Sequence, residues 1–394
     1  MVKSTTPNNI PTLFTPLQVG DITLAHRIVM APLTRCRADD EHTPRDIAVE
    51  YYSQRASPGT LLITEATVIR EGAGGFPNIP GIYTDDQIAG WKKVTDAVHK
   101  KGGFVYIQLG AIGRVASEAV LRKSNFDVVS AGNIPISEGR TIPRPLTKEE
   151  IHQYVEWYAK AAKNAVHGAG FDGIEIHNAN GYLLDQFIQT NSNNRTDEFG
   201  GSAENRSRFS LMVLKAVTEA IGQEKTAIRF SPYSSAQGMR MPTDLLKEQF
   251  THTISSIRDQ YPHLAYLHLI EPRVGSADPA ITDRDPGDAN LDWARTAWGG
   301  ERHGSPLFCA GGYSRASALE TVDKFGGAIV FGRLFLANPD LPLRLRYNVK
   351  LNGYKRSTFY THGSEGYTDY PFSSELSHQD FIHYDVHELL SVST

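Results

Sequence analysis

An α/β fold built on a parallel sheet is the class this sequence predicts, and three observations predict it. Short apolar runs rich in strand-forming residues recur along the chain, longer segments of helical periodicity lie between them, and eight such pairs can be counted. Eight units are the number that closes a TIM (β/α)8 barrel. The runs are nearly continuous in hydrophobicity, as in VYIQL and AIVF, which suits strands covered on both faces. An open, doubly wound sheet shows the same alternation, so the pattern alone leaves both architectures standing.

Taken in order, residues 12–24 (TLFTPLQVGDITL) carry β-type residues around a Val-Gly-Asp turn and predict a hairpin that caps the N-terminal end of the barrel. The eight strands are expected at Arg27–Pro32, Thr60–Ile69, Phe104–Leu109, Phe171–His177, Ala227–Pro232, Ala265–Ile270, Pro306–Ala310 and Ala328–Phe331. Their helices are expected at Ile47–Ser57, Thr84–Lys101, Lys148–His167, Ala203–Ile221, Leu245–Gln260, Leu291–Trp298, Arg315–Phe325 and Leu341–Val349. Two insertions interrupt the rhythm: residues 110–146 after the third strand, rich in Gly, Pro and Ser, and residues 271–290 after the sixth. Both leave the C-terminal ends of strands, the face on which barrel enzymes carry their chemistry. The 394 residues are read as one domain, with a barrel core over about 12–372 and a polar tail over 373–394.

Composition narrows the function. With 40% hydrophobic and 21% charged residues, the chain can pack a core. A formal charge of −4 without a long Lys/Arg run gives no electrostatic footprint for nucleic acid or an anionic membrane. No apolar run reaches the roughly 18 residues of a membrane span, and MVKSTTPNNIPTLF lacks a secretory core. Two distant cysteines, Cys36 and Cys309, match neither a disulfide framework nor a metal pair. A cytoplasmic protein acting on a small molecule is expected, with no metal.

The predicted strand ends supply the candidate site. Glycine-containing turns, Gly311-Gly312 and Gly332-Arg333, follow strands seven and eight, where backbone N–H groups beside a helix N-terminus can hold a phosphate and Arg333 can balance its charge. Tight βα turns would also explain these glycines singly; the pair, at the two positions barrels use for phosphate, favours binding. His177, Asn180 and Tyr182 follow strand four: His and Asn can donate to a carbonyl oxygen as charge develops there, and a Tyr hydroxyl can deliver a proton to a neighbouring carbon. Arg229, inside the apolar run AIRFSP, needs an anion or several acceptors, either from a neighbouring strand or from a bound cofactor. No lysine stands at a strand end to form a Schiff base.

These residues resemble the old yellow enzyme family, near the plant oxophytodienoate reductases and the fungal members that act on ergot alkaloid precursors. The stretch HNANGYLLDQFIQTNSNNRTDEFGGSAENRSRF (177–209) is similar to the family signature nearly throughout, and RIVMAPLTRCRA, AIRFSPY, CAGGYS, FGRLFLANPDL and EGYTDYP follow in the family's order. The resemblance implies noncovalent FMN, with Ala31, Pro32, Leu33 and Thr34 along the ring system, Ala66 and Gln108 at its pyrimidine portion, Arg229 near N1 and the C2 carbonyl, and Gly311, Gly312, Gly332 and Arg333 on its phosphate. It also implies a ping-pong reduction of an enone or enal by NADPH: hydride passes through flavin N5 to the β-carbon, His177 and Asn180 hold the carbonyl, and Tyr182 protonates the α-carbon. Arg273 and Tyr360 are placed near the substrate. An isomerase that returns the hydride to the same substrate, and a flavin-binding protein without turnover, are the alternatives. The family includes monomers and homodimers, and the fungal likeness suggests secondary metabolism. Relatives with iron–sulfur clusters need more cysteines than this chain has. Where many relatives read Gln-Leu-Trp after the third strand, this sequence reads Gln108, Leu109, Gly110, so a larger substrate is expected; Asn178 after the His is also unusual.

Overall fold

The computed structural model describes residues 10–272, 289–299 and 304–376. A hairpin comes first, β1 (Leu17–Val19) antiparallel to β2 (Ile22–Leu24). The barrel strands are β3 (Ile28–Met30), β4 (Leu61–Val68), β5 (Phe104–Gly110), β8 (Gly173–His177), β9 (Thr226–Phe230), β10 (Tyr266–Ile270), β11 (Leu307–Ala310) and β12 (Ala328–Phe331). They pair in parallel in chain order, and β12 returns to β3 to close the ring. Closure decides between the two architectures in favour of the TIM barrel.

Eleven α-helices occur among the described residues: α1 (Asp46–Arg55), α2 (Asp85–His99), α3 (Glu118–Leu121), α4 (Lys148–Lys163), α5 (Leu183–Ile188), α6 (Ala203–Ile221), α7 (Thr243–Gln260), α8 (Asp292–Trp298), α9 (Arg315–Phe325), α10 (Arg333–Ala337) and α11 (Leu341–Tyr347). Capping boxes start α2 at Thr84 with Gln87 and α4 at Thr147 with Glu150, satisfying N–H groups that a helix start leaves bare. The third expected helix, Lys148–His167, ends earlier as an α-helix, because its last turn, Asn164–Gly168, widens into a π-helix. The strand that follows, expected from Phe171, also begins later, at Gly173: Phe171 N–H is taken by Ala165 O and the Asp172 carboxylate accepts from Val105 N–H at 2.7 Å. The 110–146 insertion carries α3 and a two-residue parallel pair, β6 (Val129–Ser130) with β7 (Arg144–Pro145), neither of which the sequence pattern predicts. Of the second insertion, residues 273–288 lie outside the described residues. No described helix is long and apolar enough to cross a membrane.

Alternation along each strand divides the core. One set of side chains (Val29, Leu61, Tyr106, Tyr266, Phe308) fills the barrel interior, and the helices pack over the other set (Ile28, Leu62, Ile107, Ile228, Leu267). Val19 and Leu24 of the hairpin join the interior cluster, so the hairpin stoppers the barrel's N-terminal end. Its turn, Gly20 at φ +56, lies against Glu224 O so closely that a Cβ would collide, and Lys225 Nζ meets Asp21 at 2.6 Å. With that end sealed, the C-terminal end is the one left for a ligand.

Candidate active site

Alternation along the strands and register between them explain how the site is built. Interior-facing residues recur every second position, so Glu175 and His177 on β8 share a face, as do Tyr266 and His268 on β10. Register then sets Gln108 beside Glu175, His177 beside Arg229, and Arg229 beside His268. Five polar side chains thus cross the upper barrel as a floor, each at most 8% exposed.

Their bonds are specific. Gln108 Nε2 donates to Glu175 Oε1 at 2.7 Å, and His268 Nδ1 lies 2.8 Å from Glu175 Oε2. Burial opposes a charge on Glu175, yet His268, Arg229 and Gln108 together hold its carboxyl below the usual range. Burial, reinforced by Arg229, lowers His268 against the opposing pull of Glu175, and the same two causes take His177 down to about 3. The floor therefore carries one carboxylate and one guanidinium. Arg229 Nε, His268 Nε2 and His177 Nδ1 are buried with no hydrogen-bond partner among the described residues. Neighbouring strands do not saturate this layer.

Above the floor opens a cavity of about 740 Å³. Ala31, Pro32, Leu33, Thr34, Gln108, His177, Asn180, Tyr182, Arg229, Gly311, Gly312, Gly332, Arg333 and Tyr360 all line it. Ala66 lines a slot of about 10 Å³ beside it, shared with Thr34, Gly110, His177 and Tyr182. Arg273 lies outside the described residues.

At one end, Asn180 takes φ +58, with Gly181 at +78 behind it, so the chain turns sharply after β8; the Asn180 N–H donates to Ser231 Oγ at 2.7 Å. This turn brings the Tyr182 ring edge-on to His177, with centroids 4.8 Å apart. Burial, with Tyr360 and Cys36 adding, pushes the Tyr182 hydroxyl up to about 12, so it keeps its proton at neutral pH. Asn178, the unusual neighbour of His177, faces outward and donates from Nδ2 to Ser210 Oγ on α6 at 2.7 Å, tying the strand end to its helix.

At the other end, Gly311 (φ +125) and Gly312 (φ +65) shape the turn after β11. Gly332 precedes α10, a short helix after β12 that the sequence pattern does not predict. A Cβ on Gly332 would lie 3.3 Å from Leu33 and 3.7 Å from Ala31, taking room from the ligand cradle. Arg333 donates to Tyr354 Oη at 3.2 Å. Apolar walls, an acceptor and donor set at the floor, and a glycine cradle with a cation beside it fit the ring system, pyrimidine edge and phosphate of FMN.

Gly110 departs from expectation. A Cβ there would lie 3.3 Å from His177 Cβ, and the space alongside is closed by Val68, Ile79 and Ile112 to the room of one water at most. The missing bulk is filled rather than left open.

The sequence reading missed much of the rim. Cys36, Phe76, Gln237, Tyr354, Arg356 and Phe359 also line the cavity. Tyr354, Phe359 and Tyr360 belong to a C-terminal arm whose docking the sequence pattern does not predict. Arg37, 1% exposed, shows the docking: it donates to the backbone oxygens of Thr358, Phe359, Gly363 and Glu365. Beneath it Arg35 N–H donates to Glu65 Oε2 at 3.0 Å, which fixes the loop carrying Thr34.

Residues 12–352 match the NADH:flavin oxidoreductase / NADH oxidase family. The old yellow enzyme of Pichia sp. AKU4542 superposes with a TM-score of 0.85 at 36% identity, covering 94% of this chain and 96% of that one. The chain belongs to the old yellow enzyme family. Family membership makes it a flavin-dependent oxidoreductase of ene-reductase type. Among old yellow enzyme relatives in fungi, it is 50% identical to the NADP-dependent oxidoreductase lnbE of Aspergillus flavus, over 92% of this chain and 97% of that protein. It is 49% identical to the chanoclavine-I aldehyde reductase fgaOx3 of Penicillium roqueforti, with the same coverage. A third relative, 47% identical over 92% of this chain and 96% of its own length, is the probable inactive reductase easA of Epichloe festucae var. lolii.

Proposed function

We propose that this old yellow enzyme binds FMN noncovalently, takes reducing equivalents from NADPH, and saturates the carbon–carbon double bond of a conjugated aldehyde or ketone. The observation that carries the reading is the convergence of His177, Asn180 and Tyr182 on the same cavity as the Gly311-Gly312 and Gly332-Arg333 turns. Bound FMN supplies the hydride acceptor and donor. Gln108 and Arg229 hold its pyrimidine edge, Thr34 and Ala66 border the ring, and the glycine turns with Arg333 hold its phosphate.

The remaining chemistry belongs to side chains. A neutral His177 can donate one ring N–H to a substrate carbonyl, and Asn180 supplies an amide N–H. Both bonds strengthen as the oxygen gains charge, which is the condition for lowering the barrier rather than only binding substrate. Tyr182 retains its proton until an enolate-like carbon needs it, then gives it to the α-carbon. Tyr360, 53% exposed at the rim, borders the substrate's entry.

The name of the fgaOx3 relative favours an aldehyde among the possible substrates, and that of lnbE favours NADPH. The test is product analysis in D2O with a panel of enals and enones: one deuterium at the α-carbon, with one NADPH consumed per saturated product, is expected. Turnover without NADPH consumption would replace reduction by isomerisation. The inactive label of the easA relative favours a second reading, flavin binding without turnover; absence of any product across the panel would install it.

A further inference from the structure

Glu175 lies beside Gln108 in the floor of the cavity, fully buried, and neither the motif reading nor the proposed chemistry uses it. Its two carboxylate oxygens are committed, Oε1 to Gln108 Nε2 at 2.7 Å and Oε2 to His268 Nδ1 at 2.8 Å. An ionised carboxylate only accepts hydrogen bonds, so these contacts settle two orientations at once. The Gln108 amide must present its NH2 to Glu175, which leaves Oε1 as the acceptor it can offer to the cavity. His268 must carry a proton on Nδ1, and its Nε2 is buried with no partner among the described residues. Glu175 is also the only carboxylate among the described residues that acts on Arg229, whose Nε is likewise buried and unpartnered.

We propose that Glu175 is a positioning residue of the flavin site: it orients the Gln108 amide so that its carbonyl faces the imide N–H of the flavin, and its charge moderates that of Arg229. This rests on the FMN reading above. Removing the carboxylate has two consequences. The Gln108 amide loses its fixed orientation, which weakens the oxidised flavin, whose imide proton then lacks a set acceptor. Arg229 loses its counter-charge, which favours the reduced, anionic flavin and offsets the weaker imide contact in that state.

The test is Glu175→Gln, nearly isosteric, with protein stripped of flavin and retitrated with FMN, and with the two-electron midpoint potential measured on the holoprotein. The expected result is about tenfold weaker binding of oxidised FMN with reduced FMN little changed. By the thermodynamic cycle that tenfold difference moves the potential positive by about 30 mV. Glu175→Asp keeps the charge but shortens the reach, so it should weaken binding while moving the potential less; it also carries the test if the Gln variant does not fold. Combined with Gln108→Leu, Glu175→Gln should add little further loss of affinity, because both act through one amide. Wild-type affinity and potential in folded Glu175→Gln would overturn the proposal. A wild-type protein that takes up no FMN would instead overturn the flavin reading on which it rests.

Discussion

Tyr182 and His177 are the residues on which turnover is expected to depend, and their environments set opposite protonation demands. In the proposed mechanism Tyr182 works only while protonated, and with its hydroxyl pushed up to about 12 it stays so across the neutral range. His177, lowered to about 3, is neutral over the same range and donates without titrating. The rate of substrate reduction should therefore be level between about pH 6 and pH 9 and fall only in strong alkali. A step near the ordinary histidine range would show that His177 titrates and contradict this account. Tyr182→Phe should slow substrate reduction by roughly 10²- to 10⁴-fold while NADPH still bleaches the flavin, as stopped-flow measurement of the two half-reactions would separate. At this scale the sequence was informative where motifs are dense. His177, Asn180 and Tyr182 stand within six positions, whereas Glu175 and His268 are single polar residues inside apolar strands on different parts of the chain. Their partnership is made by register between strands, and only period-two alternation from His177 hinted that Glu175 faces inward.

Elements set the shape around those residues. The turn from β12 into α10 needs Gly332 not for a positive φ but for space, since a side chain there meets Leu33 and Ala31. Gly332→Val should lower FMN affinity tenfold or more, about 1.4 kcal/mol, with the fold retained; titration of flavin-free protein and a thermal melt together check it. The C-terminal arm is held by Arg37, whose guanidinium also lies 4.3 Å from the centroid of the Tyr367 ring, itself stacked 4.0 Å from Tyr51. Arg37→Met should lower Tm and raise KM more than it lowers kcat, because the arm carries Tyr354, Phe359 and Tyr360 on the rim rather than a proton donor. An unchanged Tm would mean that the arm holds itself. Helix and strand spacing was legible in sequence because each element has its own periodicity. The docking of the arm was not, because it depends on backbone oxygens that every sequence possesses. Gly110 shows the same limit: the sequence announced a missing side chain, but Val68, Ile79 and Ile112, from three separate stretches, close the gap.

At the scale of the whole molecule, barrel closure explains why the site sits where it does. The hairpin seals one end, and eight parallel strands deliver their C-terminal residues to the other. His177, Asn180 and Tyr182 at and after the end of β8, the guanidinium of β9 and the glycine turns after β11 and β12 come from widely separated stretches, yet strand order brings them around one cavity. The central claim is that this cavity is a working flavin site for conjugated carbonyl reduction. Anaerobic absorbance of the purified protein tests it most directly. A yellow protein should bleach with NADPH and recover its colour on mixing with an enal or enone, with saturated product formed in step. A colourless protein, or a reduced flavin that no enal or enone reoxidises, would contradict the claim.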